Sequence, residues 1–148
     1  MSTIPASPYS KLDFSFPIRG SRNCGAVVFT ATEKPRIAFH CHCEHCQKFS
    51  SSGHASYVLF NKETSKISGK TSTWSYLADS GNTTTKHFCS TCGTQVYSQT
   101  SGHPNNMIVA ASCLEAKDLF IPSIAMFTKH AAPWDLIAEN LARYEAGV

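Results

Sequence analysis

The 148-residue chain has no apolar run near the roughly 20 residues that a membrane-spanning helix needs. Its opening, "MSTIPASPYS", has neither the basic start nor the apolar stretch of a secretory leader, so a cytoplasmic setting with no membrane partner is expected. Strong charge is missing too. Thirteen basic against ten acidic residues leave +3, and Lys62, Lys66, Lys70, Lys86 and Lys129 are dispersed rather than gathered into a phosphate-binding stripe, so nucleic acid is not an expected partner. There is no internal repeat and no linker long enough to divide the chain; "SSS" and "TTT" are the whole of its low complexity. The length suffices to bury about two thirds of the unfolded surface around one core. A single domain over 1–148 is expected, with 1–11, rich in Pro and Ser, as a flexible tail and 12–148 as the folded part.

An even number of cysteines is also lacking. Seven, at 24, 41, 43, 46, 89, 92 and 113, in a chain with no export signal argue against a disulfide scaffold, and tight cytosolic clusters more often hold metal.

Period-two alternation recurs in "LDFSF", "GAVVFTAT", "HASYVLF", "STWSYLA" and "TQVYSQT", each bounded by turn-forming residues, with turns expected at "DSGN" (79–82) and "SGHPNN" (101–106). The class is mainly β. A helix is predicted only from Pro133, in "PWDLIAENLARYEA", where Leu136, Ile137, Leu141 and Tyr144 fall at helical spacing.

The densest chemistry lies in "HCHCEHC", residues 40–46. Zinc is borderline soft and prefers thiolate, so Cys41, Cys43 and Cys46 outrank the neighbouring histidines as ligands. In an extended segment Cys41 and Cys43 share a face and a following turn returns Cys46 to them. His40 and His42 then face away, and His45 sits within the turn, as outer donors or surface groups. Three protein ligands leave the open position of a catalytic zinc, whereas a fourth ligand from elsewhere makes it structural; unmetallated core cysteines are a third reading. Three thiolates around a dication leave a net negative charge, which weakens water activation and suits an incoming thiol better.

"FCSTCG", residues 88–93, is a C-x-x-C followed by Gly, the turn of a zinc knuckle. A redox pair is the rival reading, but it needs a strand-to-helix context that "TQVYSQT" does not offer. Cys24 in "SRNCGAVVF" lies just before a strand, and Cys24, Cys89 and Cys92 together have three of the four donors of a closed site. Cys113 stands alone after an apolar run and reads as core.

A Gly-led cysteine, then C-H-C-x-x-C, then F-C-x-x-C-G, then a Pro-Trp before the C-terminal segment resembles the glutathione-dependent formaldehyde-activating enzymes, a family that includes the centromere protein V group. The resemblance spans about residues 18–140. It implies a mainly β, zinc-containing β-tent fold of short antiparallel strands, here with a short C-terminal helix. It also implies two zinc sites: an active one on Cys41, Cys43 and Cys46, and a structural one using Cys24, Cys89 and Cys92. The fourth structural cysteine of the family aligns with Arg22, which cannot ligate. One tightly bound zinc is therefore expected, with a second dependent on His87, Cys113, solvent or a partner. Two further departures are the delay of Gly53 by "QKFSSSG" and Ala125, near which many relatives carry a histidine.

The expected function is a zinc-dependent carbon-sulfur lyase acting on the adduct of a thiol, glutathione first, with an aldehyde or other small electrophile. His42, His45, Lys48 and His54 are the candidate catalytic groups for proton transfer or substrate attraction. A non-catalytic zinc interaction module and a specialised-metabolism enzyme using the same three cysteines are the alternatives.

Overall fold

The computed structural model describes residues 4–148, so the first three residues of the expected tail lie outside the described part. Eleven strands and one α-helix follow in order: β1 (Ile18–Ser21), β2 (Val28–Ala31), β3 (Ile37–Cys41), α1 (Glu44–Ser50), β4 (Ala55–Asn61), β5 (Ser65–Ser68), β6 (Thr71–Leu77), β7 (Thr83–Cys89), β8 (Gln95–Thr100), β9 (Asn106–Ala110), β10 (Ile124–Met126) and β11 (Ala142–Arg143). The mainly β class of short strands holds. Four of the five alternating segments carry strands; "LDFSF" does not, since Phe14 packs on the core while Phe16 is exposed and no ladder partner runs beside it.

The strands form a three-stranded sheet, β1-β2-β5, and an eight-stranded sheet, β11-β10-β3-β4-β9-β8-β7-β6. Pairing is antiparallel except where β10 runs parallel to β3 and to β11. Alternation along β4 shows how the large sheet is buried on both faces. Val58 and Phe60 enter one apolar cluster with Phe29, Ala31 and Val109, while Ala55 and Tyr57 enter another with Phe39, Cys41, Cys46 and Ile124. Because Cys41 pairs with Ala55 and Phe39 with Tyr57, the register places the sulfur of Cys41 on the second face.

The predicted C-terminal helix is absent. Residues 133–141 run through turns, and β11 then pairs with β10, with Ala142 N–H donating to the Ser123 carbonyl (3.0 Å) and Tyr144 N–H to that of Ala125 (2.9 Å). The apolar spacing misled because only Leu141 and Tyr144 are buried while Leu136 is 88% exposed; pairing at the sheet edge overrides helix propensity. Within the segment read as a tail, Tyr9 is fully buried, its hydroxyl donating to the Leu119 carbonyl (2.6 Å) and accepting from Ile121 N–H (2.9 Å). Among the described residues no helix is long and apolar enough to cross a membrane.

Candidate metal centre and active site

The helix that sequence reasoning did not anticipate, α1, organises the first cysteine cluster. Cys43 caps it in extended conformation, its sulfur accepting Cys46 N–H at 3.4 Å, with Glu44 in the first turn and Lys48 in the last, where each charge suits the helix dipole. One turn of helix thus swings Cys46 back beneath Cys41. The sulfurs of Cys41, Cys43 and Cys46 all lie within 4.8 Å of one another. Tetrahedral zinc with bonds of about 2.3 Å requires sulfurs about 3.8 Å apart, so this donor set fits the ion. Cys41 and Cys46 are buried, and Cys43 is half-buried.

Three residues outside the cysteine motifs complete the surroundings. Lys86, only 2% exposed, reaches from β7 to within 3.6 Å of the Cys46 sulfur and donates to the Tyr57 hydroxyl at 2.9 Å. That hydroxyl also accepts from Gln95 Nε2 at 2.7 Å, so its own proton is left for the Cys46 sulfur 3.7 Å away. A buried cation is costly unless an anion faces it. The anion here is the thiolate group. Hydrogen bonds from Cys41 and Cys43, then the charge of Lys86 and the Tyr57 hydroxyl, hold Cys46 well below the ordinary thiol range despite burial. Cys41 is pushed well above it by donating to Cys43 and Cys46 and by desolvation. Without a cation the trio behaves as one thiolate flanked by thiols. With zinc bound to three thiolates, Lys86 offsets the remaining negative charge, which is a second respect in which the site fits the metal.

An aromatic rim borders the cluster. His45, exposed on α1, stacks on Tyr76 (ring centroids 3.8 Å apart, 20° between planes), and Trp74 lies 5.0 Å from Tyr76. The Tyr76 hydroxyl is pushed up to about 12 by burial, relieved in part by Lys86 and reinforced by Cys46 and Cys43, which places it within electrostatic reach of the sulfurs.

The second cluster, Cys24, Cys89 and Cys92, is also within 4.8 Å throughout, and Cys24 and Cys89 are 3.5 Å apart. Cys89 ends β7, and the chain turns through Gly93, whose φ of 76° favours glycine, directly into β8. Strand, turn, strand is not the strand-to-helix setting of a redox pair. Arg22 does not point its charge at the sulfurs. Its Nε donates to Thr94 Oγ1 (3.0 Å) and its Nη1 to Ser112 Oγ (3.0 Å), while Thr94 Oγ1 lies 3.1 Å from the Cys92 sulfur. The Thr94 hydroxyl, then its backbone N–H, lower Cys92 to about 6. Among the described residues neither His87 nor Cys113 joins this group. His87 stacks on Tyr97 and bonds Gln99, and Cys113 is buried.

The four expected catalytic groups separate. Lys48 is exposed on the last turn of α1, and His45 lies at the aromatic rim. His42 and His54 meet on the other side of the sheet, where Asp135 Oδ2 lies 3.4 Å from His42 Nδ1 and 2.6 Å from His54 Nδ1. As alternation requires, His40 and His42 point away from Cys41 and Cys43; His40 bonds Ser56 Oγ (2.9 Å) and packs edge-on against Phe120. A cleft of about 480 Å³ runs between the end of α1 and the β7–β8 turn, with Arg22, Ser52, His54, Thr94 and Gln95 in its walls and none of the described cysteines.

Sequence reasoning missed Lys86, Tyr57, Gln95 and Asp135. Tyr57 had a readable signal, since it lies on the same face of its alternating segment as Ala55. Lys86 resembled one more dispersed surface lysine.

Comparisons with known proteins agree with this architecture. The sequence model of the family described as "Glutathione-dependent formaldehyde-activating enzyme" matches residues 17–130. A crystal structure of a Rhodobacter sphaeroides protein is similar in fold, with a TM-score of 0.55 at 20% identity over 71% of this chain and 97% of that one. No curated protein matches the chain.

Proposed function

The chain belongs to the glutathione-dependent formaldehyde-activating enzyme family, and from that premise we propose that it makes or breaks a carbon-sulfur bond between a thiol, glutathione first, and formaldehyde or a related small electrophile. The observation that carries this reading is the cluster of Cys41, Cys43 and Cys46, with only Cys43 reachable from outside and Lys86 buried against Cys46. These three cysteines would hold zinc. Zinc held there would lower the proton affinity of an incoming thiol, whose sulfur would then serve as nucleophile or leaving group.

The surrounding residues account for the rest. In the adduct-forming direction the thiol loses its proton, a sulfur-carbon bond forms, and the carbonyl π pair moves to oxygen, which takes up a proton. Lys86 and Tyr57 keep excess negative charge near Cys46 tolerable, so that another sulfur can approach the same cluster. Tyr76, His45 and Trp74 form a stacked aromatic surface at the border of the cluster, on which the apolar part of a substrate can lie.

The test is the initial rate of adduct formation from glutathione and formaldehyde above the spontaneous background. A saturable rate that disappears in Cys43→Ser is expected. A wild-type rate equal to the background, in protein shown to carry zinc, would refute the reading.

A further inference from the structure

We propose that His42, His54 and Asp135 form a further metal site, a two-histidine, one-carboxylate set for a divalent first-row transition ion, separate from both cysteine clusters. The three candidate ligand atoms, the Nδ1 atoms of the two histidines and a carboxylate oxygen of Asp135, lie within 4.8 Å of one another. They come from three parts of the chain: the residue after β3, the residue before β4, and the irregular segment that replaces the expected C-terminal helix. Nothing in the thiol chemistry above uses them.

The decisive observation is the state of His42. Its side chain is 2% exposed and its Nδ1 is buried without a hydrogen-bond partner, although Asp135 Oδ2 is only 3.4 Å away. Leaving a buried polar atom unsatisfied costs about 1–3 kcal/mol, so such an atom calls for an explanation. With its proton on Nε2, the tautomer in which the other ring nitrogen can coordinate, His42 keeps a free lone pair on Nδ1. A bare Nδ1 and a carboxylate oxygen are both acceptors. What satisfies both is a cation between them. His54 Nδ1, now 2.6 Å from the same oxygen, becomes the third ligand when its proton is displaced.

Gly53 supports the arrangement from behind. A Cβ there would stand 2.4 Å from Asp135 Oδ2 and 2.7 Å from Asp135 Cβ, so the position is kept without a side chain where the carboxylate packs. His54 is 25% exposed and lines the cleft beyond α1, which supplies an entry path and room for water or an oxygen-donor ligand at the open coordination positions. Nitrogen and oxygen donors without sulfur favour ions such as Co²⁺, Ni²⁺, Fe²⁺ or Zn²⁺ over soft ions.

The experiment uses whole protein with its native zinc, dialysed free of loose metal and titrated with Co²⁺. Beyond any cobalt taken up by Cys24, Cys89 and Cys92, which thiolate charge-transfer bands identify, one further cobalt per chain is expected, adding ligand-field absorption without further charge transfer, raising the melting temperature, and broadening the imidazole NMR signals of His42 and His54 but not His103. Asp135→Asn and His54→Gln should each weaken that uptake by at least ~10-fold while zinc content is unchanged. The wild-type titration is decisive even if a variant misfolds. No cobalt beyond what displaces zinc, charge-transfer bands as the sole signature, or equal uptake by folded variants would each overturn the site.

Discussion

The two cysteine clusters have nearly the same composition and opposite surroundings. Cys41, Cys43 and Cys46 are largely buried, with a buried cation and a tyrosine hydroxyl directed at Cys46. Cys24 is exposed, Cys92 is half-buried and Cys89 is buried, and Arg22 reaches the sulfurs only through the hydroxyl of Thr94. The difference separates two ways of managing thiolate charge. In the first cluster Lys86 is fixed by burial, and its removal leaves an anion uncompensated in a low-dielectric setting. In the second, the cation stands behind a neutral hydroxyl and the exposed Cys24 faces solvent, so no buried charge opposes the sulfurs directly.

The largest effect that sharpens this contrast is expected from paired serine substitutions. Cys43→Ser should abolish turnover, by at least ~100-fold, since it removes a direct ligand where outer partners alone account for ~10–100-fold. Cys24→Ser should leave turnover within a few fold and lower the melting temperature instead. Rate assays beside thermal unfolding decide it; equal losses of turnover in both would erase the distinction between the clusters.

A smaller loss is expected from Lys86→Met, which keeps the length of the side chain and deletes its charge. Zinc retention at the first cluster and turnover should each fall by ~10–100-fold, measured by chelator competition and initial rates. Lys70→Met, on an exposed lysine, should change neither. If Lys86→Met were equally silent, charge compensation would not be what distinguishes the first cluster.

How much of this was legible beforehand depended on whether the signal was local. The thiolate trio could be read from C-x-C-x-x-C because a short extended stretch and one turn fix it, and the aim of His40 and His42 away from the cysteines followed from alternation. The partners of that trio could not. Lys86 and Cys46 are 40 residues apart, and only the order β4-β9-β8-β7 brings them together. Asp135 was hidden for a different reason. Reading "PWDLIAENL" as helix treated Leu136 and Ile137 as an apolar face, whereas an irregular path delivers the carboxylate to His42 and His54. Likewise the turn expected from Cys43 to Cys46 is the first turn of the seven-residue α1, which the ligand spacing alone does not reveal.

Arg22→Cys tests the second cluster with a moderate effect whose sign depends on metal. Zinc per chain should rise from about one towards two, because a fourth thiolate closes the site. The zinc-loaded variant should melt higher than wild type. After chelation it should melt lower, since the contacts of Arg22 with Thr94 and Ser112 are gone. Wild-type protein that already holds two ions equally tightly would show that Arg22 does not weaken the site.

The smallest expected effect is a pH dependence on the strand that carries Cys41. His40 shares β3 with that cysteine but lies on the other face, where desolvation first, then the charges of His54 and His42, lower it from 6.5 to about 4. A histidine with a depressed folded value binds fewer protons in the native chain than in the unfolded one between those two values. Stability therefore rises with pH across that window, and is lost as pH falls from about 6.5 towards 4. His40→Gln removes the titrating group and keeps a polar partner for Ser56. Melting temperatures followed from pH 7 to 4.5 should fall less steeply in the variant than in wild type, with the two curves closest near pH 7 apart from a constant offset. The residual slope in the variant reports proton competition at the cysteines, which the Cys24→Ser protein apportions between the clusters. Parallel curves for wild type and His40→Gln would mean that acid sensitivity arises entirely at the thiolates, and that the imidazole face of β3 contributes nothing to it.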